Sequence, residues 1–283
     1  MKNYDNFLIL GGDKRYAYMA QELYNNGYSV ALSGFDNCEG FEEIKRENIK
    51  VLSDYKNIVL PAPITRDMLT LNAPLSKFKI DLNEIYSLLT AENFVFCGKA
   101  GSEILDMLDK RAGGKFIYFS DFEYTSKNAE LTALAVEKIL NNENKDLKEY
   151  NCLITGYGFT GKALSKKLKD KFRSITVCAR RDEVLKKISS DGFDALKLSC
   201  LKEHISYYDI VINTVPSVII NADILDFVKE SVFIVDIASA PFGVDFGYAQ
   251  EKNIRAEKAL GLPGKYFPEK AGKILAKTIL KKI

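Results

Sequence analysis

The chain has 283 residues, of which 47% are hydrophobic and 28% are charged, and its formal net charge is +2. This balance is typical of a globular protein with room for two domains of ordinary size, and it argues against a large nucleic-acid surface. No apolar stretch is long enough to span a membrane and the first residues show no signal-peptide pattern, so we expect a cytoplasmic protein.

Strands and helices alternate through the first half of the chain. An apolar strand at 7–10 leads through Gly11, Gly12 and Asp13 into a helix over 16–25, which Gly27 closes. Further strands are predicted at 28–32, 50–52, 57–61, 94–97 and 116–119, with helices over 83–89 and 102–109. This alternation predicts a parallel sheet that is covered on both faces.

A helix with apolar residues at helical spacing is predicted over 128–141, and the polar run over 141–146 is interpreted as a linker. The strand and helix alternation then resumes, with strands predicted at 152–155, 174–179, 194–198, 210–213, 233–236 and 255–257. A final helix over 267–283 is expected to return to the first domain.

The predicted domains follow from these elements. We expect an N-terminal Rossmann-like domain over 1–125 that the helix over 267–283 completes, a crossing helix and linker over 126–148, and a second Rossmann-like domain over 149–266. Two doubly wound parallel-sheet domains joined by crossing helices predict a cleft between them, with a cofactor on one wall and a substrate on the other.

The most informative tract opens the second domain. A buried-type strand runs into Gly156-Tyr-Gly158-Phe159-Thr160-Gly161, and a helix is predicted over 162–172. In dinucleotide-binding folds the first glycine permits a tight turn, the second lets the pyrophosphate approach the backbone, and the third lets the helix lie close to the strand. The free N–H groups at the helix start face the anion. This loop therefore predicts a dinucleotide site.

The next strand, at 174–179, is expected to end beside the adenosine ribose. An acidic residue about 20 residues past the glycines usually accepts the 2′-hydroxyl of NAD, but this chain has Ala179, Arg180 and Arg181 there. A guanidinium can clamp a 2′-phosphate and stack on adenine, so we predict NADP as the cofactor. Asp182 is the acidic alternative, although it is well placed to N-cap a helix over 183–189. The arginines are otherwise ordinary solvated charges.

Three more tracts follow predicted strands of the second domain, where doubly wound sheets bind their ligands. Cofactor contacts are predicted at Asn213, Thr214, Val215, Pro216, Asp236, Ala238 and Ser239. Lys265 is expected to meet a substrate carboxylate. The alternative is that the prolines only end strands and that Asp236 only holds loop N–H groups.

Substrate contacts are predicted on strand-end loops of the first domain, at Gly12, Asp13, Arg15, Pro61, Pro63 and Thr65. The first turn lacks the glycine spacing of a dinucleotide site because residue 16 is Tyr, but a helix start with Arg15 suits a carboxylate. Lys99 is a second candidate, equally well explained as a solvated loop residue. The only histidine, His204, lies in a polar stretch and is interpreted as a surface residue, and no metal site is predicted.

The five cysteines form no CxxC pair, and most lie in or beside apolar strands, which predicts reduced core thiols.

These tracts together resemble the A subunit family of dipicolinate synthase, nearly from end to end. The resemblance rests on the glycine loop and, most specifically, on Asp236-Ile-Ala-Ser239 and Ala259-Leu-Gly-Leu-Pro-Gly-Lys265. It also departs from the family pattern, since Phe242 stands where a glycine is common and the crossing segment keeps only Ala129 and Glu130 of the usual motif.

The resemblance implies a fold like that of the formate and glycerate dehydrogenases, an NADP cofactor and, as partner, a flavoprotein-like B subunit. It implies conversion of the cyclic product of dihydrodipicolinate synthase to dipicolinate, the calcium chelator of endospores, in the mother-cell cytoplasm during sporulation. In that reaction a hydride passes to C4 of NADP⁺, Arg15 and Lys265 anchor the dicarboxylate, and Asp13 is the candidate base.

Two other functions stay open at this point. One is a 2-hydroxyacid or amino-acid-type dehydrogenase, against which the lack of a suitable histidine counts. The other is a non-catalytic NADP-binding assembly subunit. The oligomeric state is open as well, a homo-oligomer included.

Overall fold

The computed structural model describes residues 6–143 and 146–283. The chain divides into two compact units, Met1–Asn128 with Pro263–Ile283, and Ala129–Leu262. The sequence predicts a separate segment, a crossing helix and linker, over 126–148. The boundary between the two units instead falls between Asn128 and Ala129, inside the helix that spans Phe122–Asn141. The predicted linker lies partly outside the described residues, as does the start of the predicted first domain.

The first unit contains a sheet whose strands are β1 (Asn6–Leu10), β2 (Ser29–Ser33), β3 (Lys45–Arg46), β4 (Asn57–Val59), β5 (Phe94–Cys97) and β6 (Gly114–Ile117). Its helices are α1 (Lys14–Asn25), α2 (Leu82–Leu88), α3 (Ser102–Arg111), the start of α4 (Phe122–Asn141), and α11 (Pro268–Leu280). The strand order is β3-β2-β1-β4-β5-β6, and every pairing is parallel.

The second unit contains β7 (Asn151–Thr155), β8 (Ser174–Ala179), β9 (Asp194–Lys197), β10 (Ile210–Asn213), β11 (Phe233–Asp236) and β12 (Arg255–Lys258). Its helices after α4 are α5 (Phe159–Leu168), α6 (Asp182–Ser190), α7 (Leu201–His204), α8 (Ala222–Leu225) and α9 (Phe246–Glu251), and α10 (Leu262–Tyr266) spans the second boundary. The order β12-β11-β10-β7-β8-β9 is again parallel throughout. Two Rossmann-like doubly wound domains are thus confirmed.

The central strands are apolar because both of their faces are buried. In β1, Phe7 and Ile9 join one buried cluster, while Leu8 and Leu10 join the cluster on the other face. This follows from the two-residue period of a strand. Leu275 of α11 belongs to the first of these clusters, so the C-terminal helix helps to bury that face of the N-terminal sheet.

Helix α11 packs closely on α1 because Gly272 has no side chain. A Cβ atom at residue 272 would lie 2.5 Å from the carbonyl oxygen of Arg15 and 2.8 Å from the amide nitrogen of Met19. The backbones of the two helices therefore touch at the first turns of α1, which is the part of the domain where the predicted substrate residues begin.

The predicted strand at 50–52 is wrong. Residues Ile49–Asp54 form a 3₁₀ helix, which the side chain of Asn48 caps by accepting a hydrogen bond from the amide of Lys50 at 3.0 Å. The predicted strand at 116–119 is only half right, because β6 ends at Ile117 and a 3₁₀ turn follows over Tyr118–Ser120. In both places local capping and turn geometry outweigh the strand propensity of the apolar residues.

No helix in the described part of the chain is both long and apolar enough to cross a lipid bilayer.

Candidate active site

Each sheet has one point at which its strand order changes direction, between β1 and β4 in the first unit and between β7 and β10 in the second. Loops that leave the carboxyl ends of two such strands diverge, and the crevice between them is the usual ligand site of a doubly wound sheet. The predicted cofactor loops at 156–161 and 213–216 follow β7 and β10. The predicted substrate loops at 11–15 and 61–65 follow β1 and β4.

The three glycines of the second unit meet three different surroundings. Gly156 has a φ of +89°, and a Cβ atom there would lie 2.5 Å from the Thr214 hydroxyl oxygen. A Cβ at Gly161 would lie 2.1 Å from the carbonyl oxygen of Gly156. At Gly158 a Cβ would meet no atom within 4 Å. The first and third glycines therefore serve packing, whereas the second leaves open space at the start of α5.

The N-terminus of α5 is open to an anion. Gly158 is its N-cap and provides no side-chain hydrogen bond to the free amides of the first turn. Those amides carry the partial positive charge of the helix dipole. Helix α1 differs, because the carboxylate of Asp13 caps it by accepting a hydrogen bond from the amide of Arg15 at 3.1 Å. The N-terminus of α1 thus already holds a carboxylate of the protein itself, whereas the N-cap residue of α5 provides none.

The tip of β8 carries two exposed guanidinium groups. Ala179 is buried, while Arg180 and Arg181 are exposed and their guanidinium groups form no hydrogen bond or ion pair with any described residue. The prediction that Asp182 N-caps α6 is wrong, because the helix begins one residue earlier and Arg181 is the N-cap. Asp182 instead pairs with Lys197 at 2.8 Å, an interaction that lowers the pKa of Asp182.

A buried polar network ties the ends of β7, β10 and β11 together. The side-chain nitrogen Nδ2 of Asn213 donates to Asp236 at 2.8 Å and to the carbonyl of Val215 at 3.0 Å. The side-chain oxygen Oδ1 of Asn213 accepts from the Thr155 hydroxyl at 2.5 Å. Asp236 also accepts from the amide of Ala238 at 3.0 Å. Because the amide hydrogens of Asn213 are already engaged, its side chain acts by holding the loops in place.

The outer residues of these two loops are the more accessible ones. Pro216 and Ser239 are exposed, and Thr214 and Val215 are half-buried. The Thr214 hydroxyl donates to the carbonyl of Thr155 at 2.7 Å. The sequence pattern predicts a cofactor contact at all seven of these residues, and only the structure separates the buried ones from the accessible ones.

In the first unit, Arg15 and Asp13 form a two-point ion pair. The Nε atom of Arg15 lies 2.8 Å from one carboxylate oxygen of Asp13, and Nη2 lies 2.9 Å from the other. Arg15 is buried, yet its Nη1 group forms no hydrogen bond with the described residues. A Cβ at Gly264 would lie 2.4 Å from Asp13, so the residue preceding Lys265 packs directly against the pair.

Two buried tyrosines fill the crevice of the first sheet. The Tyr16 hydroxyl accepts from the amide of Ala62 at 2.7 Å and lies 2.7 Å from the Tyr118 hydroxyl, which donates to the carbonyl of Leu60 at 3.2 Å. Burial raises the pKa of Tyr118 well above its usual value, so both hydroxyls stay neutral in this chain of hydrogen bonds. A Cβ at Gly12 would lie 2.3 Å from the Tyr16 ring.

The remaining predicted substrate residues differ in availability. The amide of Gly12 donates to the carbonyl of Asn72 at 2.8 Å, and the Thr65 hydroxyl donates to Asp67 at 3.0 Å. Pro61 is buried and Pro63 is exposed, on the loop that Tyr16 holds. Lys265 is exposed and pairs with no described residue. Sequence reasoning missed Tyr16 and Tyr118, although a tyrosine at the place of the third glycine was visible.

The sheet topology, the glycine loop and the open start of α5 define a Rossmann-type, dehydrogenase-like protein. Two family models match accordingly: residues 6–117 match the N-terminal domain of the dipicolinate synthase A subunit, and residues 136–256 match shikimate / quinate 5-dehydrogenase. The second match is of the kind expected for a domain that binds a nicotinamide dinucleotide.

Similarity to individual proteins extends over nearly the whole chain. The dipicolinate synthase A subunit of Bacillus subtilis (strain 168) is 27% identical over 278 residues, which cover 96% of this chain and 94% of that protein. The crystal structure of its counterpart from Bacillus halodurans is 24% identical with a TM-score of 0.87, covering 100% of this chain and 98% of its own. The crystal structure of the Bacillus subtilis protein is 26% identical with a TM-score of 0.83, covering 100% and 96%. The resemblance to the A subunit family of dipicolinate synthase is thereby confirmed.

Proposed function

We propose that the protein is the NADP-binding subunit of a dipicolinate synthase, working with a flavoprotein-like B subunit in the mother-cell cytoplasm of a sporulating bacterium. The observation that carries this proposal is the similarity to the A subunit over 96% of the chain. An open anion position at α5 and two unpartnered arginines at the tip of β8 support it independently.

The residues of the second unit fit NADP. The space above Gly158 and the N-terminus of α5, which no side chain of its N-cap residue covers, suit the pyrophosphate, because backbone donors and the helix dipole both favour an anion there. Arg180 and Arg181 suit the 2′-phosphate, since a guanidinium binds phosphate through two parallel hydrogen bonds. Asp182, the acidic alternative, is engaged with Lys197 and is a poor partner for a ribose hydroxyl.

The proposed reaction is the oxidation of a dihydrodipicolinate, or of a hydroxytetrahydrodipicolinate after loss of water, to pyridine-2,6-dicarboxylate. NADP⁺ supplies the hydride acceptor. A C–H bond of the partly reduced ring breaks, its electron pair leaves with the hydride, and a proton leaves a neighbouring ring atom for solvent. The ring becomes aromatic, which drives the step forward and acidifies the departing proton.

The first unit is proposed to hold the dicarboxylate. The Nη1 group of Arg15, in the first turn of α1, and the ammonium group of Lys265, in α10, are the proposed cationic donors. Asp13 was the predicted base, but both of its carboxylate oxygens already bind Arg15. We therefore propose that Asp13 orients the guanidinium and that the proton passes to water. Holding the two reactants together is then the main catalytic contribution of the chain.

Two measurements test the proposal. The purified chain should bind NADP more tightly than NAD by calorimetry, and tighter binding of NAD would reject the phosphate clamp. It should also form NADPH from the product of dihydrodipicolinate synthase, with a rate measured alone and after addition of a flavoprotein-like partner. NADP binding without any NADPH formation under either condition would favour the non-catalytic assembly subunit.

A further inference from the structure

Tyr157 stands inside the glycine loop, between the residue that makes the turn and the residue that leaves room for phosphate. Its side chain is only 7% exposed, and the ammonium group of Lys162 lies over its ring, 5.5 Å from the ring centroid. The hydroxyl donates a hydrogen bond to a carboxylate oxygen of Asp191 at 2.8 Å. Asp191 is the residue that directly follows α6.

Asp191 also has a second hydrogen-bond partner. Its other carboxylate oxygen accepts from the ammonium group of Lys187 at 2.7 Å, one helical turn earlier in α6. Hydrogen bonds from Lys187 and from Tyr157 lower the pKa of Asp191, so the carboxylate is ionised at neutral pH. The bond to Tyr157 is therefore charge-assisted, which makes it stronger than a bond between two neutral groups.

We propose that Tyr157 and Asp191 form a positioning pair that fixes the backbone of the phosphate-binding loop before the dinucleotide arrives. This inference rests on the proposed function. Glycine has more backbone freedom than other residues, so a loop with glycines on both sides of Tyr157 loses entropy when it is ordered. Anchoring the residue between them through its side chain keeps the loop amides directed at the anion, and less ordering remains to be done on binding.

The pair acts on a specific part of the ligand. The loop faces the pyrophosphate, which NADP and NAD share, whereas Arg180 and Arg181 are placed for the 2′-phosphate. Loss of the tether therefore lowers the affinity for both dinucleotides by the same factor. It leaves the binding of adenosine 2′-monophosphate, which has no pyrophosphate, unchanged.

The test is calorimetric titration of Tyr157→Phe, Asp191→Ala and the double variant with NADP, NAD and adenosine 2′-monophosphate. Each single variant should bind both dinucleotides about tenfold more weakly, a factor that corresponds to about 1.4 kcal/mol. The double variant should be no weaker than either single variant, because all three lack the same hydrogen bond. Asp191→Asn retains an acceptor oxygen and should recover part of the affinity.

Two matched controls accompany these variants. Lys187→Gln removes the other partner of Asp191 and leaves the tether, and Tyr207→Phe removes a hydroxyl from a tyrosine that is 69% exposed in the same unit. Both should bind NADP and NAD as the unaltered chain does. Unchanged affinity in Tyr157→Phe, a loss confined to NADP, or additive losses in the double variant would each overturn the tether. If the unaltered chain binds neither dinucleotide, the proposed function fails first, and the tether with it.

Discussion

Replacing Gly158 and Gly161 one at a time by alanine separates ligand binding from folding. A methyl group at residue 158 would meet no protein atom within 4 Å, and the backbone there has a φ of −78°, which alanine adopts without strain. Gly158→Ala should therefore leave the free energy of unfolding unchanged or raise it by about 0.4–1 kcal/mol, because alanine has less freedom than glycine in the unfolded chain.

The same methyl group would stand where the pyrophosphate is proposed to lie. Pushing the anion away from the helix start weakens charge-assisted hydrogen bonds that contribute about 1.5–3 kcal/mol each. We expect NADP and NAD to bind Gly158→Ala roughly 100-fold more weakly, since each factor of ten in affinity corresponds to about 1.4 kcal/mol. Calorimetric titration measures this loss directly.

Gly161→Ala should instead destabilise the folded protein. Its methyl carbon would lie 2.1 Å from the carbonyl oxygen of Gly156, a backbone atom that cannot move without shifting the turn. We expect a loss of stability of about 1–3 kcal/mol, as for overpacked cores, measured by urea denaturation. A Gly158→Ala variant that is stable and still binds NADP as tightly as the unaltered chain would refute the assignment of the loop to the pyrophosphate.

Three further outcomes are expected. Replacing Arg180 and Arg181 together by alanine should weaken NADP binding at least tenfold while leaving NAD binding unchanged, because only NADP carries the 2′-phosphate; equal losses for both ligands in the titration would contradict this. Asp13→Ala leaves the buried guanidinium of Arg15 without its partner and should lower the free energy of unfolding by about 2–3 kcal/mol. This loss is smaller than for a fully buried pair because Asp13 is partly exposed. A urea midpoint identical to that of the unaltered chain would show that the pair contributes nothing to stability. Because the pKa of Tyr118 is raised in the folded protein, the free energy of unfolding keeps its full value below about pH 10, where the unfolded tyrosine is still neutral, and falls at higher pH. In Tyr118→Phe the loss of stability between pH 9 and pH 11 should be smaller. An equally steep loss in that variant would exclude this tyrosine as the cause.

The local sequence determined where the second unit makes its turn, although the helix predicted over 162–172 begins three residues earlier, since α5 spans Phe159–Leu168. Glycines at 156, 158 and 161 between an apolar strand and an amphipathic helix predicted the loop, because glycine alone readily adopts a positive φ and lets other atoms approach the backbone closely. The paired arginines after β8 were also visible in the sequence itself. Apolar strands in regular alternation with helices likewise predicted two parallel sheets, and both are present.

Only the tertiary structure decided which polar groups are free to bind a ligand. The whole guanidinium of Arg15 looked available in the sequence, yet Asp13 engages Nε and Nη2, so that only Nη1 lacks a hydrogen bond among the described residues. Asn213 is engaged by Asp236 from the neighbouring strand, and Tyr157 finds its partner 34 residues away. Hydrogen-bond partners of this kind are set by how strands and helices pack, and packing depends on the whole chain, so neighbouring letters do not reveal it.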